Sequence, residues 1–153
     1  KKCSIDYFLC GAQAECNYIM NILGYSDNEV ILTGFPRFDN LHSGVTKNQI
    51  LIMPSWRMYL EGCTEEEFIE TNFFKNINGL LSDRKLNALL LKYEINLVLY
   101  LHYQMQKYVR TFKDYNSDNI VIALKEHYDV QKLLKESKLL ITDYSSVFFD
   151  FHI

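Results

Sequence analysis

Three short polar segments in this sequence carry side chains that could hold a phosphate group. Ser55, Trp56 and Arg57 follow one apolar run, and His102 and Tyr103 follow another. The third segment places Thr142, Asp143, Tyr144, Ser145 and Ser146 after a third apolar run. Hydroxyls and arginine bind phosphate oxygens, and a helix predicted to begin near Val147 would add free backbone N–H groups. Phosphate binding is therefore one chemistry that these residue types allow.

Each of these residues also has an ordinary structural explanation. Ser145 and Ser146 are typical helix N-caps. His102 could be satisfied by a backbone carbonyl, and Trp56 could be an aromatic packed at the edge of the core. Arg57 could form a surface ion pair. Only the convergence of these side chains on one edge of a sheet would argue for a site.

Apolar runs of strand length alternate with segments of helical periodicity along the chain. The predicted strands are residues 7–10, 30–33, 50–53, 97–101, 120–124 and 139–142. Strands that are nearly all apolar and separated by helices are typical of a parallel sheet covered on both faces. We therefore predict a doubly wound α/β fold, in which the carboxyl ends of the strands bring the three polar segments to one edge.

The helices are predicted from their caps and their periodicity. Thr64 and Glu67 have the spacing of a capping box, which begins a helix expected to turn Phe68, Ile69 and later Phe73 inward. Further helices are predicted over residues 14–23, 83–93 and 130–137.

A polar stretch, residues 40–48, is the candidate linker between two units. Residues 1–43 would then close one domain, and residues 44–153 would begin another.

Composition excludes several classes of function. The net charge is −3 and no run of lysine and arginine occurs, so nucleic acid is not an expected partner. The four cysteines lack metal-site spacing, so we expect free thiols and no metal. No apolar run approaches the roughly 20 residues that a membrane-spanning helix needs.

Three motifs, in order along the chain, resemble those of the CDP-glycerol glycerophosphotransferase family, which builds teichoic acids and related capsular polymers. The motifs are Thr-Gly-Phe-Pro-Arg-Phe-Asp at residues 33–39, Met-Pro-Ser-Trp-Arg at 53–57 and Thr-Asp-Tyr-Ser-Ser-Val-Phe-Phe-Asp-Phe at 142–151. The resemblance implies a GT-B architecture of two Rossmann-like domains, with an incomplete nucleotide-binding domain in this chain. It covers essentially the whole sequence.

Carried over position by position, the resemblance implies a set of donor contacts. They are Arg37, Ser55, Trp56, Arg57, the segment at His102, Ser145 and Ser146 for the diphosphate, and Asp150 for a donor hydroxyl. Two departures stand out. The family usually has His-Pro where this chain has His102-Tyr103, and its upstream His-Gly element, which resembles a general-base site, has no counterpart here. His102 is the candidate catalytic residue within the chain.

The expected function is therefore donor binding in a transferase that moves glycerol phosphate, or a similar polyol phosphate, from CDP-glycerol to a polymer and releases CMP. The expected partners are the nucleotide donor and the polymer acceptor, and no cofactor is expected. We expect the intact protein to be a peripheral protein at the cytoplasmic, inner face of the plasma membrane. The chain alone is expected to be inactive, because the general base lies outside it.

Two other hypotheses remain open from the residues. A UDP-sugar epimerase with the same two-domain architecture would differ in base preference, binding UDP rather than CDP. A flavodoxin-like or receiver-type binding module would cluster several acidic residues at neighbouring strand ends, where this sequence has serine, arginine and histidine.

Overall fold

The computed structural model describes residues 5–41, 44–112, 115 and 118–152. The chain forms two compact units, Lys1–His42 and Ser43–Ile153. The predicted linker, residues 40–48, includes His42 and Ser43, which lie outside the described residues.

The first unit pairs two short parallel strands with one helix. Strand β1 is Phe8–Cys10, helix α1 is Gln13–Leu23 and strand β2 is Val30–Leu32. Helix α1 ends at Gly24, whose φ of 76° lies in the left-handed region that glycine adopts without strain. A small core forms around Cys10, Cys16 and Ile19, and both of these cysteines are free thiols, as expected from their spacing.

The second unit contains a four-stranded parallel sheet. Its strands are β3 (Gln49–Ile52), β4 (Asn96–Tyr100), β5 (Ile120–Ala123) and β6 (Leu139–Ile141), in the order β5-β4-β3-β6. All three pairings are parallel. The prediction of an α/β fold with a parallel sheet is therefore confirmed.

The strand order places a topological switch point between β3 and β6. The chain steps outward from β3 to β4 and β5, then returns to pair β6 with the other side of β3. This is the order of the first four strands of a Rossmann-type sheet, in which ligands bind where the direction of winding reverses. The loops that follow β3 and β6 are therefore the structural candidates for a site.

Both faces of this sheet are covered. Alternation along β3 and β4 sends Ile52, Leu97 and Leu99 to one core and Leu51, Val98 and Tyr100 to the other. The first core packs against α2 (Glu65–Glu70), α3 (Asn72–Leu81), α4 (Arg84–Lys92) and the 3-10 helices Met58–Leu60 and Tyr103–Phe112. The second core packs against α5 (Val130–Glu136) and α6 (Val147–Phe151).

The predicted capping box is present at the start of α2. The Thr64 hydroxyl accepts a hydrogen bond from the Glu67 N–H at 3.2 Å, and the Glu67 carboxylate accepts one from the Thr64 N–H at 2.9 Å. The helix ends at Glu70 because Thr71 caps a new helix there, its hydroxyl accepting from the Phe74 N–H. Phe68 is buried as predicted, but Ile69 is exposed, so its inward placement was wrong.

The buried 3-10 helix Tyr103–Phe112 was absent from the predicted elements. Its buried residues Met105, Tyr108, Val109 and Phe112 recur at spacings of three and four, a helical signal that the sequence did contain. The Tyr108 ring stacks on Phe68 with centroids 4.1 Å apart. This helix begins three residues after β4 ends, and its Gln106 side chain donates to the Leu101 carbonyl at 2.7 Å, which ties it to the end of β4.

Candidate functional site

The loops after β3 and β6 contact each other directly. The Met53 N–H donates to the carbonyl of Ile141 at 2.9 Å, which continues the strand pairing by one bond. The Thr142 hydroxyl then donates to the carbonyl of Met53 at 2.6 Å. Two of the three polar segments are thus brought together at the switch point, as the parallel sheet predicted.

Asp143 is the centre of these contacts. One of its carboxylate oxygens accepts hydrogen bonds from the Ser55 backbone N–H at 3.0 Å and from the Ser55 hydroxyl at 2.5 Å. The other oxygen pairs with the Arg57 guanidinium. A single side chain on the β6 loop therefore holds two residues of the β3 loop.

Arg57 is held from several sides. Its Nη1 donates to the Tyr144 hydroxyl at 2.6 Å and to the Ser55 carbonyl at 3.1 Å. The guanidinium carbon lies 4.7 Å from the centroid of the Tyr144 ring and 5.6 Å from that of Phe73. Because ion pairing and cation–π contacts act together, the orientation of Arg57 is closely defined.

Asp143 and Arg57 each stabilise the charged form of the other. Burial disfavours the charged form of Asp143, but hydrogen bonds from Ser55 and Arg57 outweigh it and hold the pKa of the carboxyl below its ordinary value. Burial likewise works against the Arg57 cation, and the contact with Asp143 outweighs it and raises the pKa of the guanidinium. Both groups are therefore ionised at neutral pH.

Trp56 and His102 form a second contact group, which joins the ends of β3 and β4. Their rings stack with centroids 6.2 Å apart and an interplanar angle of 25°. His102 also contacts the Tyr103 ring, at 4.5 Å between centroids. Burial lowers the pKa of His102, so its imidazole is neutral at pH 7 and can accept a proton.

Ser145 and Ser146 lead into α6, which begins at Val147 where the sequence predicted a helix. The Ser145 hydroxyl accepts from the Val147 N–H at 3.4 Å, while Ser146 occupies the N-cap position without a capping hydrogen bond from its side chain. Ser146 is exposed, and Asp150 is half-buried in the same helix. The Ser145 hydroxyl is therefore held by local backbone rather than by Arg57 or Asp143.

Arg37 belongs to the first unit. It lies in a 3-10 helix, Pro36–Phe38, with its guanidinium 5.2 Å from the ring centroid of Phe35 and 5.0 Å from that of Phe38. These two aromatic rings orient the arginine within its own unit, and its role in donor binding stays a prediction.

Tyr103 also borders a different feature. A cavity of about 1050 Å³ lies between β5 and the 3-10 helix Tyr103–Phe112, away from the Ser55–Asp143 contacts. Three cations, Lys107, Arg110 and Lys125, line it together with the acids Glu65 and Glu126. The residues that line it include none from the loops after β3 and β6, so the polar convergence at those loops, rather than cavity size, defines the candidate site.

Within the described residues, no group of three or more histidine, cysteine, aspartate or glutamate side chains is arranged to hold a metal ion. At the ends of β3 and β6, hydroxyl, guanidinium and carboxylate groups are already hydrogen-bonded to one another. The arrangement is suited to binding a phosphate-containing ligand beside a compensated ion pair.

The sequence prediction missed the role of Tyr144. Its hydroxyl and its ring both contact Arg57, although the residue was named only as part of its motif. The available signal was its position between Asp143 and Ser145 at a strand end. A spacing pattern does not reveal that an aromatic ring and an arginine from different loops will meet.

Comparison with known proteins places the chain in a family. A model of the family described as CDP-Glycerol:Poly(glycerophosphate) glycerophosphotransferase matches residues 1–153. The chain belongs to this family. The resemblance noted from the three sequence motifs is thereby confirmed, and the epimerase and flavodoxin-like hypotheses are set aside.

Two curated relatives are similar over most of the chain. The minor teichoic acid biosynthesis protein GgaB of Bacillus subtilis (strain 168) is 29% identical over 136 residues, covering 83% of this chain and 15% of GgaB. The teichoic acid poly(glycerol phosphate) polymerase of Bacillus spizizenii is 31% identical over 139 residues, covering 79% of this chain and 32% of the polymerase. The chain thus spans about a third or less of these relatives.

Solved structures of the wall teichoic acid polymerase TagF share the fold. One aligns with a TM-score of 0.62 at 21% identity, covering 95% of this chain and 37% of that chain. A variant of the same polymerase soaked with CDPG aligns with a TM-score of 0.57, covering 95% of this chain and 35% of that chain. The Rossmann-like, GT-B-type fold class predicted from the sequence is confirmed by this likeness.

Proposed function

We propose that the second unit binds the CDP part of CDP-glycerol, in a protein that transfers glycerol phosphate to a teichoic acid-like or capsular polymer. The observation that carries this proposal is the contact between the β3 and β6 loops at the switch point, where Ser55, Arg57 and Asp143 meet. Family membership supports the donor. The names of the two curated relatives support a teichoic acid product.

In the proposed reaction, a terminal hydroxyl of the acceptor attacks the phosphorus that carries glycerol, the bond to the CMP phosphate breaks, and CMP leaves. Catalysis then depends on positioning and on stabilising phosphate charge. Ser145 and Ser146 are the proposed donors to the diphosphate oxygens, and Asp150 is the proposed contact for a donor hydroxyl. Arg57 contributes positive charge that Asp143 partly balances.

The proton of the attacking hydroxyl must pass to a base. His102 has the chemical properties for proton transfer, because burial keeps its imidazole neutral near pH 7. The family resemblance, in contrast, assigns the general base to a His-Gly element, which residues 1–153 do not contain. We therefore propose His102 as a contact near the donor that assists proton transfer, with no metal or cofactor taking part.

We also propose that the intact protein acts at the inner face of the plasma membrane, where the acceptor polymer is extended. The described residues contain no helix that is long and apolar enough to cross a membrane. Peripheral association with the membrane would bring the donor site to the acceptor. Flotation of the intact protein with vesicles made of membrane lipids tests this part of the proposal.

Calorimetry on the intact protein tests donor binding. We expect CDP-glycerol and CMP to bind, and UDP-sugars to bind at least about tenfold more weakly, a difference of about 1.4 kcal/mol. A folded intact protein that binds none of the cytidine nucleotides would overturn the proposed function.

Paired serine variants test the placement of the diphosphate. Ser145→Ala combined with Ser146→Ala should weaken CDP-glycerol binding about a hundredfold or more, since each of the two lost hydrogen bonds to a charged group is worth about 1.5–3 kcal/mol. Ser82→Ala, at the end of α3, is the matched control and should bind normally. Unchanged affinity in the double variant would remove the diphosphate from this turn.

A further inference from the structure

The two loops at the switch point are joined by a continuous series of hydrogen bonds beyond the end of the sheet. The series runs from Thr142 and Met53 through Asp143 and Ser55 to Arg57. In an open α/β sheet the loops at this point diverge to opposite faces and leave a crevice for the ligand. Here the base of that crevice is closed by side chains, and Asp143 is the one that makes most of the closing contacts.

The chemistry of Asp143 does not suit direct contact with the donor. The donor carries a diphosphate, and a carboxylate placed against it would add repulsion between like charges. The Asp143 oxygens are also already engaged, one by two donors of Ser55 and the other by Arg57. Little acceptor capacity remains for a hydroxyl of the ligand.

Tyr144 completes the arrangement on the opposite side of Arg57. Its hydroxyl accepts from Nη1 while Asp143 accepts from Nη2, so the two terminal nitrogens of the guanidinium are bound by adjacent residues of one loop. The Tyr144 ring also lies beneath the guanidinium. The side chain of Arg57 is only 20% exposed, so it is held in place rather than extended into water.

We propose that Asp143 is a positioning residue of the donor site and not a donor ligand, and that Tyr144 acts with it to orient Arg57. The inference rests on the proposed function, because it assigns roles within the same site. It changes the role of Asp143 from substrate contact to support of Ser55 and Arg57. The donor then meets a compensated ion pair with a fixed guanidinium, beside the hydroxyls of Ser145 and Ser146.

The substitution Asp143→Asn separates the two roles. Asparagine keeps the shape of aspartate and one acceptor oxygen, so the contacts with Ser55 can persist, while its amide group cannot accept from Arg57. We expect kcat for CMP release to fall about tenfold or more, because Arg57 is no longer held where phosphate charge develops. The calorimetric Kd for CDP-glycerol should stay within about threefold, since removing an anion offsets the loss of orientation.

The Tyr144→Phe substitution tests the same network with a smaller change. It removes the hydroxyl and keeps the ring, so kcat should fall about two- to fivefold with little change in Kd. In an Arg57→Gln background the same substitution should have no further effect, because the two residues act through one interaction. Tyr93→Phe, at an exposed tyrosine after α4, is the matched control and should leave both constants unchanged.

The outcomes separate the two proposals. Failure of the wild-type intact protein to bind or turn over CDP-glycerol removes the proposed function. An active wild type whose Asp143→Asn variant binds the donor tenfold more weakly at unchanged kcat makes Asp143 a direct ligand and overturns the positioning role alone. Normal kcat and Kd in the variant overturn it as well. If Asp143→Asn does not fold, the Tyr144→Phe effect decides, and additivity in the Arg57→Gln background would contradict the inference.

Discussion

Two junctions at the carboxyl edge of the same sheet are bridged in opposite ways. Between β4 and β5, the buried Gln106 donates to the Leu101 carbonyl at 2.7 Å and accepts from the Lys125 N–H at 3.1 Å. Between β3 and β6, the bridge is the ionised pair of Asp143 and Arg57, with side chains 29% and 20% exposed. The first bridge is neutral and buried, whereas the second is charged and partly exposed.

The difference separates a bridge that stabilises the fold from one that we propose serves donor binding. A buried amide satisfies backbone groups that would otherwise lose their hydrogen bonds with water, so it stabilises the fold strongly. A partly exposed ion pair loses much of its attraction to solvent screening and to desolvation, so its contribution to stability is small. We propose instead that the pair holds the Arg57 guanidinium where phosphate charge of the donor develops.

The largest expected effect on stability is at the neutral bridge. Gln106→Leu should lower the free energy of unfolding by about 2–4 kcal/mol, because it leaves two backbone groups without partners. Urea unfolding measures this loss. Gln104→Leu, the same change at an exposed residue two positions away, should stay within about 0.5 kcal/mol. Equal losses in the two variants would mean that the bridge is not structural.

A smaller loss is expected at the charged bridge, and it should depend on pH. At pH 7, Asp143→Asn should lower the free energy of unfolding by about 1 kcal/mol, discounted for its exposure. The lowered pKa of Asp143 means that this contribution is fully present above the ordinary aspartate pKa of about 3.9. It is lost as pH falls through the lower folded-state value, so wild type and variant should converge in acid. A gap that widens below pH 4 would contradict the assignment.

The smallest expected change concerns His102, which lies between the two junctions. Because burial lowers its pKa, its NMR titration midpoint should fall below the ordinary value of about 6.5. Trp56→Ala removes the ring stacked on the imidazole and should move that midpoint upward, toward the ordinary value. A midpoint that stays the same in the variant would show that Trp56 does not shield the histidine.

Much of the second unit was predictable because its signals are local. The apolar runs that became β3, β4 and β6 were recognised from composition, and α4 was recognised over residues 83–93 where the structure has Arg84–Lys92. The capping box of α2 depends on residues three apart, so it too could be read from the sequence. Ile69 was misplaced because the break at Thr71 shortens the helix, and the Tyr103–Phe112 helix was missed although its spacing was present.

For the site, the sequence by itself determined which residue types stand after each strand and, through three ordered motifs, the family. Parallel pairing then requires those residues to share an edge. Only the tertiary structure decided how they bond to one another. The contact of Asp143 with Ser55 and Arg57 joins residues more than 80 positions apart, and Tyr144 reaches Arg57 across the same junction. Such contacts depend on strand order and on loop direction, which no local pattern encodes.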